Sequence, residues 1–234
     1  MYISINEAAG LLKVNIATLN RWVQKGMLNC HRTEEEITID REELVNFIKR
    51  TGFSPIEFEQ IDEDEEAMAQ EVDERLLLTR AINRGVFTKL SDPIERNALF
   101  SKAVDLLAYV NEINFPRNLL TAKLIEREDE ISTALTGGIA LPHPKNSTEL
   151  HFEKSIVCTV FLQHPVKLNN DCPNEIDLLF FLFSKNPSEH LKLLSTIARL
   201  VNANPELKNS VANTESRKDL VTLFKQYESR LLKI

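Results

Sequence analysis

Apolar residues recur at three- and four-residue intervals through the first fifty positions, and that spacing predicts three short helices. Ser4 and Glu7 form a Ser-x-x-Glu capping box ahead of a helix over 5–12, with Ala8, Leu11 and Leu12 turned inward. Lys13-Val14-Asn15 makes a turn, and Asn15 caps a second helix over 16–25 whose buried stripe is Ile16, Leu19, Trp22 and Val23. Gly26 supplies the positive φ that ends it. Thr38-Ile39 predicts a strand pairing with a segment near Asn29–Arg32, and Asp40 with Glu43 predicts a second capping box, opening a helix through Leu44, Phe47 and Ile48. Beyond residue 75 the periods lengthen. Residues 97–112 and 116–130 carry helical apolar spacing, with Pro116 suited to a first turn. The runs "SIVCTVFL" (155–162) and "EIDLLFFLF" (175–183) are short, apolar and rich in β-formers, as buried strands are. Ser188 predicts the cap of one helix, and Thr214 the cap of a last one through Leu232. Helices alternating with strands predict an α/β domain, a sheet covered by helices.

Composition adds limits. Of 234 residues, 43% are hydrophobic and 27% charged, an ordinary globular balance. The longest apolar runs fall far short of the ~20 residues that cross a bilayer, so no membrane association is expected. The N-terminus lacks a basic start and an apolar stretch, so the expected compartment is cytoplasmic. Three cysteines (Cys30, Cys158, Cys172), without a CxxC, support neither a disulfide framework nor a zinc site. The net charge of −7 is unevenly divided. Residues 1–53 carry seven basic and seven acidic groups, residues 54–74 ten acids and no base, and residues 75–234 twenty-one bases and eighteen acids. An acidic run repels itself and buries little, which predicts a linker over 54–74 between domains at 1–53 and 75–234.

Two short helices, a hairpin and a third helix read as a small winged helix-turn-helix. The stretches "ISINEAAGLLKVNIATLNRWVQKGML" and "ITIDREELVNFI" resemble the MerR/excisionase-like DNA-binding family. The resemblance makes the second helix a recognition helix and the hairpin a wing. Thr18, Asn20, Arg21, Gln24 and Lys25 would then face DNA, with Arg32 on the wing. Arg, Asn and Gln can pair with base edges, and Thr and Lys with phosphates. Glu34-Glu35-Glu36 in the wing and the zero net charge oppose phosphate contact, so two targets stay open: DNA, or a regulatory protein. Heads of this size usually act in pairs, which points to a homodimer, although no heptad repeat enforces one.

His143 stands in "GGIALPHPK", where Pro142 and Pro144 stiffen the backbone that presents its ring. A neutral imidazole is a nucleophile that can carry a phosphoryl group. His190 falls in the first turn of its predicted helix, and Arg127, Ser132 and Thr133 are candidate donors to phosphoryl oxygens. The stretches "LIEREDEISTALTGGIALPHPK" and "EIDLLFFLFSKNPSEHLKLLSTIARLV" resemble the enzyme IIA domain of the fructose/mannitol type of the bacterial phosphotransferase system, closest to its nitrogen-regulatory branch. That resemblance implies a mixed sheet sandwiched by helices, His143 as acceptor of phosphate from a histidine phosphocarrier protein, and His190 and Arg127 as its companions. It implies no metal and no organic cofactor. Two features depart from the family pattern: Pro144 replaces the usual glycine, and Ala134 and Thr136 replace glycines of the preceding loop. Joined to a DNA-binding-like head, the domain suggests a phosphorylation-responsive regulator. The alternative is a carrier that hands phosphate to a separate IIB for carbohydrate uptake.

Overall fold

A computed structural model describes residues 2–12, 16–24, 26, 28–32, 37–51, 72–110, 116–145, 150–169 and 174–233, without the side chains of 17, 18, 21, 49–51, 109 and 110. The chain divides into two compact units, Met1–Ala67 and Met68–Ile234.

The first unit holds β1 (Tyr2–Ser4), α1 (Ile5–Leu12), α2 (Ile16–Gln24), β2 (His31–Arg32), β3 (Ile37–Asp40) and α3 (Arg41–Thr51). The predicted capping box is present: Glu7 N–H donates to Ser4 Oγ at 3.1 Å, and Ser4 N–H donates to Glu7 Oε2 at 3.0 Å. Gly26 takes the expected left-handed turn at φ 65 and closes α2. Strand β1 has no helical or strand signal of its own, because three residues are too few to show a period. It adds antiparallel to β3, with Ile3 opposite Ile39, and gives a sheet in the order β1-β3-β2. Ala8, Leu12, Leu19, Trp22, Ile39, Leu44 and Phe47 form the core, with the Trp22 and Phe47 rings 4.8 Å apart.

Leu11 and Ile16 correct the expected stripes. Both are exposed, at 55% and 46%, because Ala9 rather than Leu11 takes the inward position of α1 and α2 turns on Leu19 and Trp22. The second capping box is also rearranged. Asp40 Oδ1 accepts from Glu42 N–H at 3.0 Å, and the Glu43 carboxylate accepts instead from the Asn29 amide at 3.1 Å, tying α3 to the residues before β2. Asn15, Glu34, Glu35 and Glu36 lie outside the described residues.

The second unit runs α4 (Leu77–Asn83), β4 (Phe87–Leu90), α5 (Arg96–Val110), α6 (Arg117–Glu130), a 3₁₀ turn (Thr136–Gly138), β5 (Ile139–Ala140), β6 (Ile156–Val166), β7 (Ile176–Phe183), α7 (Pro187–Ala203), α8 (Leu207–Ala212) and α9 (Arg217–Leu232). The sheet order is β4-β6-β7-β5. β4 is parallel to β6, β6 antiparallel to β7, and β7 parallel to β5, so the sheet is mixed. Leu178, Phe180 and Leu182 of β7 face a core built with α4, α7, α8 and α9. On the other face Phe181 meets Phe100 of α5, with ring centroids 5.5 Å apart. A strand covered on both sides reads as one apolar run, which is why "DLLFFLF" shows no alternation. The architecture is thus a mixed sheet flanked by helices.

Three caps differ from expectation. Pro187 presets φ at the first helical position of α7, so the cap falls on Asn186, whose Oδ1 accepts from Glu189 N–H at 2.9 Å, and not on Ser188. Ser216 caps α9, while the Thr214 hydroxyl donates to Ser210 O. Pro116 sits at the cap of α6, one position before the first turn. Helix α4 has no local cap. The buried Glu228 carboxylate of α9 accepts from Leu78 N–H at 3.0 Å, Thr79 N–H at 2.8 Å and the Thr79 hydroxyl at 2.7 Å. Val72 packs on the core of this unit, and Leu76 N–H donates to Asp73 O, so the last residues of the predicted linker are part of the folded unit. Among the described residues no helix is long and apolar enough to cross a membrane.

Candidate functional site

The segment carrying His143 leaves β5 and is stitched to both neighbours. Leu182 N–H of β7 donates to Pro142 O at 2.9 Å, and Lys145 N–H donates to Lys123 O of α6 at 3.0 Å. With Pro142 and Pro144 on either side, the backbone at His143 has little freedom left. His143 Nδ1 lies 2.8 Å from Leu141 O. A carbonyl oxygen only accepts, so Nδ1 carries the proton and Nε2 presents its lone pair. Burial pushes this imidazole down to about 4, helped by the nearby His190 and Arg127 and opposed by the Leu141 carbonyl. At neutral pH the ring is therefore uncharged and nucleophilic.

The structure brings His190 and Arg127 to the same place. The His190 ring centroid is 4.7 Å from that of His143, with the planes inclined at 59°. Its backbone N–H donates to Asn186 O at 3.0 Å, so His190 contributes its ring. Ser184 Oγ contacts His190 Nδ1 at 3.0 Å. Burial first, and the Arg127 charge second, hold His190 below its ordinary value. Arg127 occupies the last turn of α6, and its Nη1 donates to Ile131 O at 2.8 Å. Two neutral rings and one fixed cation make a site for an anion that bonds to nitrogen.

Residues 85–227 match the family described as "Phosphoenolpyruvate-dependent sugar phosphotransferase system, EIIA 2". The chain belongs to this family. Over 141 residues it is 28% identical to the multiphosphoryl transfer protein 2 of Escherichia coli (strain K12), a stretch that makes up 60% of this chain and 16% of that protein. The chain thus spans about a sixth of the length of the curated relative it matches. Among solved structures it is similar to the nitrogen regulatory protein IIA-Ntr of Neisseria meningitidis, at 22% identity and a TM-score of 0.49, covering 58% of this chain and 91% of that one. It is also similar to IIA mannitol of Escherichia coli, at 15% identity and a TM-score of 0.45, covering 60% and 92%.

Within this enzyme IIA domain, the Ser132 and Thr133 hydroxyls donate to the Glu128 carboxylate, at 3.1 Å and 2.5 Å. Gly137 and Gly138 both take φ 78, and a Cβ on Gly138 would come 2.9 Å from Asp177 Oδ1, so this turn needs its two glycines. Ala134 bridges to Ala140 and neither Ala134 nor Thr136 has a positive φ, so their departures from glycine carry no backbone strain. Beside His190 a cleft of about 410 Å³ opens between Pro144, Lys145, Phe152, Ser184 and Asn186. Lys145 Nζ is paired there with both Glu126 and Glu130.

Other candidates fall elsewhere. His151 and His164 are exposed, and His31 stacks edge-on against Tyr2 at 5.5 Å. Cys158 is fully buried and burial pushes its thiol up to about 12, which suits packing. Cys172 lies outside the described residues. Among those residues, no group of three or more His, Cys, Asp or Glu is placed to hold a metal ion. In the first unit Gln24 on α2 and Arg32 on β2 are exposed and Asn20 is half-buried. The side chains of Thr18 and Arg21, and Lys25 as a whole, lie outside the described residues. Sequence reasoning missed Glu128 and Ser184. Glu128 adjoins the motif arginine, but nothing in a one-dimensional pattern marks a carboxylate as buried.

Proposed function

We propose that the chain is a phosphorylation-responsive regulator of the phosphotransferase system, taking phosphate on His143 from a histidine phosphocarrier protein. The observation that carries this reading is the Leu141 carbonyl on His143 Nδ1, which leaves Nε2 bare beside His190 and Arg127. In the transfer, the Nε2 lone pair bonds to the phosphorus of the donor's phosphohistidine. The donor's N–P bond breaks, and its electron pair returns to the donor ring. The Leu141 carbonyl holds the Nδ1 proton throughout and favours the positive charge that builds on the ring as the new bond forms. Arg127 balances the phosphoryl oxygens.

Residues 1–53 act as a winged helix-turn-helix head in this reading. Supporting it are the helices α1 and α2, the antiparallel pairing of β2 with β3, and the exposed Gln24 and Arg32. Thr18, Asn20, Arg21 and Lys25 complete the proposed DNA face, and two copies of the chain bind together. The acidic stretch from residue 54 joins the units, its last residues from Val72 folded into the second. Phosphorylation adds about one and a half to two negative charges to the chain, enough to shift the head's binding to DNA or to a protein target. The likeness to a multiphosphoryl transfer protein favours a second reading, in which phosphate passes onward to a separate IIB.

The test is incubation with phosphoenolpyruvate, enzyme I and the phosphocarrier protein. An acid-labile label is expected on the native chain and none on His143→Ala. Equal labelling of the variant refutes the assignment. Onward transfer of the label to a IIB domain, with no change in DNA or protein binding, selects the second reading.

A further inference from the structure

We propose that Glu128 is a positioning residue of the phosphoryl site, whose buried carboxylate fixes, through Thr133 and Leu141, which nitrogen of His143 is left to accept phosphate. This rests on the reading of His143 as the acceptor. Glu128 is fully buried, and removing a carboxylate from water costs several kcal/mol unless donors surround it. Its donors come from two consecutive residues: Ser132 Oγ at 3.1 Å, Thr133 N–H at 3.0 Å and Thr133 Oγ1 at 2.5 Å. The chain after α6 is thus wrapped onto one side chain.

From there the links are backbone. Leu141 N–H donates to Thr133 O at 3.1 Å, and Leu141 O receives His143 Nδ1 at 2.8 Å. The Ala134–Ala140 bridge and the bond from Leu135 N–H to Ile139 O, 2.7 Å, hold the two segments in one register. Where Thr133 is fastened therefore decides where the Leu141 carbonyl stands, and that carbonyl decides the tautomer of the acceptor ring. The preceding residue, Arg127, grips Ile131 O in the same turn and sends its charge toward both imidazoles. One turn of α6 thus carries both the cation of the site and the anchor of its nucleophile.

The fold supplies its own control. Glu228 is likewise buried and likewise accepts from three donors, two backbone N–H groups and one threonine hydroxyl where Glu128 has one N–H and two hydroxyls, but its donors are Leu78 and Thr79 of α4. Glu128→Gln and Glu228→Gln in the full chain should lose comparable thermal stability. Histidine side chains labelled with nitrogen-15 report the tautomer of His143 directly, without any phosphate donor. Glu128→Gln should lower the fraction protonated at Nδ1 and slow transfer from the phosphorylated carrier by about ten- to a hundred-fold, chiefly in kcat and not in KM. Glu228→Gln should keep the native tautomer and rate. Thr133→Val, which removes one donor, should move both readouts the same way by roughly two- to ten-fold.

A native tautomer in both Glu128→Gln and Thr133→Val overturns the proposal, and so do equal changes in Glu128→Gln and Glu228→Gln. Failure of the native chain to accept phosphate would remove the function proposed above, while the tautomer comparison would still decide the role of Glu128.

Discussion

At the scale of single residues, the proposed phosphoryl transfer depends on keeping two imidazoles uncharged next to a guanidinium. For His143 the ordinary value near 6.5 is lowered to about 4 in the fold. Above pH 6.5 the ring is neutral folded or unfolded and contributes nothing to the balance. As pH falls from about 6.5 to about 4 the unfolded chain takes up a proton that the folded site refuses, so stability is lost across that window. Urea unfolding at pH 7 and pH 5 should show this fall, and His143→Ala should lessen it. Phosphate acceptance should stay level above pH 6 and decline toward pH 4 as Nε2 becomes protonated. Ser184 makes a second expectation. Its hydroxyl is the contact at His190 Nδ1, and Ser184→Ala should reduce the transfer rate by about two- to ten-fold with the fold intact, measured by labelling kinetics and circular dichroism. His143 was legible because prolines flank it, and His190 and Arg127 because a family motif marks them. Ser184 and Glu128 were not, since their contacts lie four to six residues along the chain at spacings that no linear motif marks.

Among the elements, length decided what could be read. The long helices α5, α6, α7 and α9 each fill a periodic window, the strands β6 and β7 are each marked by a continuous apolar run, and the sequence places all six within a few residues. Strands of four and two residues, β4 and β5, and the six-residue α8 fill no such window, and their pairing rests on tertiary neighbours. Capping was read well where the motif was local, as at Ser4 and Glu7, and displaced where a proline set the helix start, as at Pro187. Leu11 and Ile16 show the limit of a stripe on an eight- or nine-residue helix, where a neighbouring small residue can take the inward place. β4 enters the sheet through a point of close approach. A Cβ on Gly85 would stand 1.9 Å from Val157 O, a backbone atom of β6. Gly85→Ala should push the segment entering β4 away from β6 and lower stability by about 1–3 kcal/mol, read as a fall in the calorimetric midpoint.

For the whole molecule, charge is the property that the net value hides. The proposed head is neutral over residues 1–53 while residues 54–74 hold ten acids, so a phosphate-rich partner meets little long-range attraction. DNA affinity of the full chain should be modest and salt-dependent. Arg21→Ala with Lys25→Ala should weaken it further and reduce the slope of log affinity against log salt by about two, in fluorescence anisotropy titrations. A slope unchanged by the pair would assign the head to a protein target.

The cap on α4 also constrains how this polypeptide comes into being. Leu78 and Thr79 wait for Glu228, some 150 positions later along the chain. A ribosome adding about 5–20 residues each second leaves that helix start unfinished for roughly ten seconds or more. The enzyme IIA unit is therefore built to close late, its first helix completed by its last, and a nascent chain halted before Glu228 should expose the open α4 to proteases and chaperones.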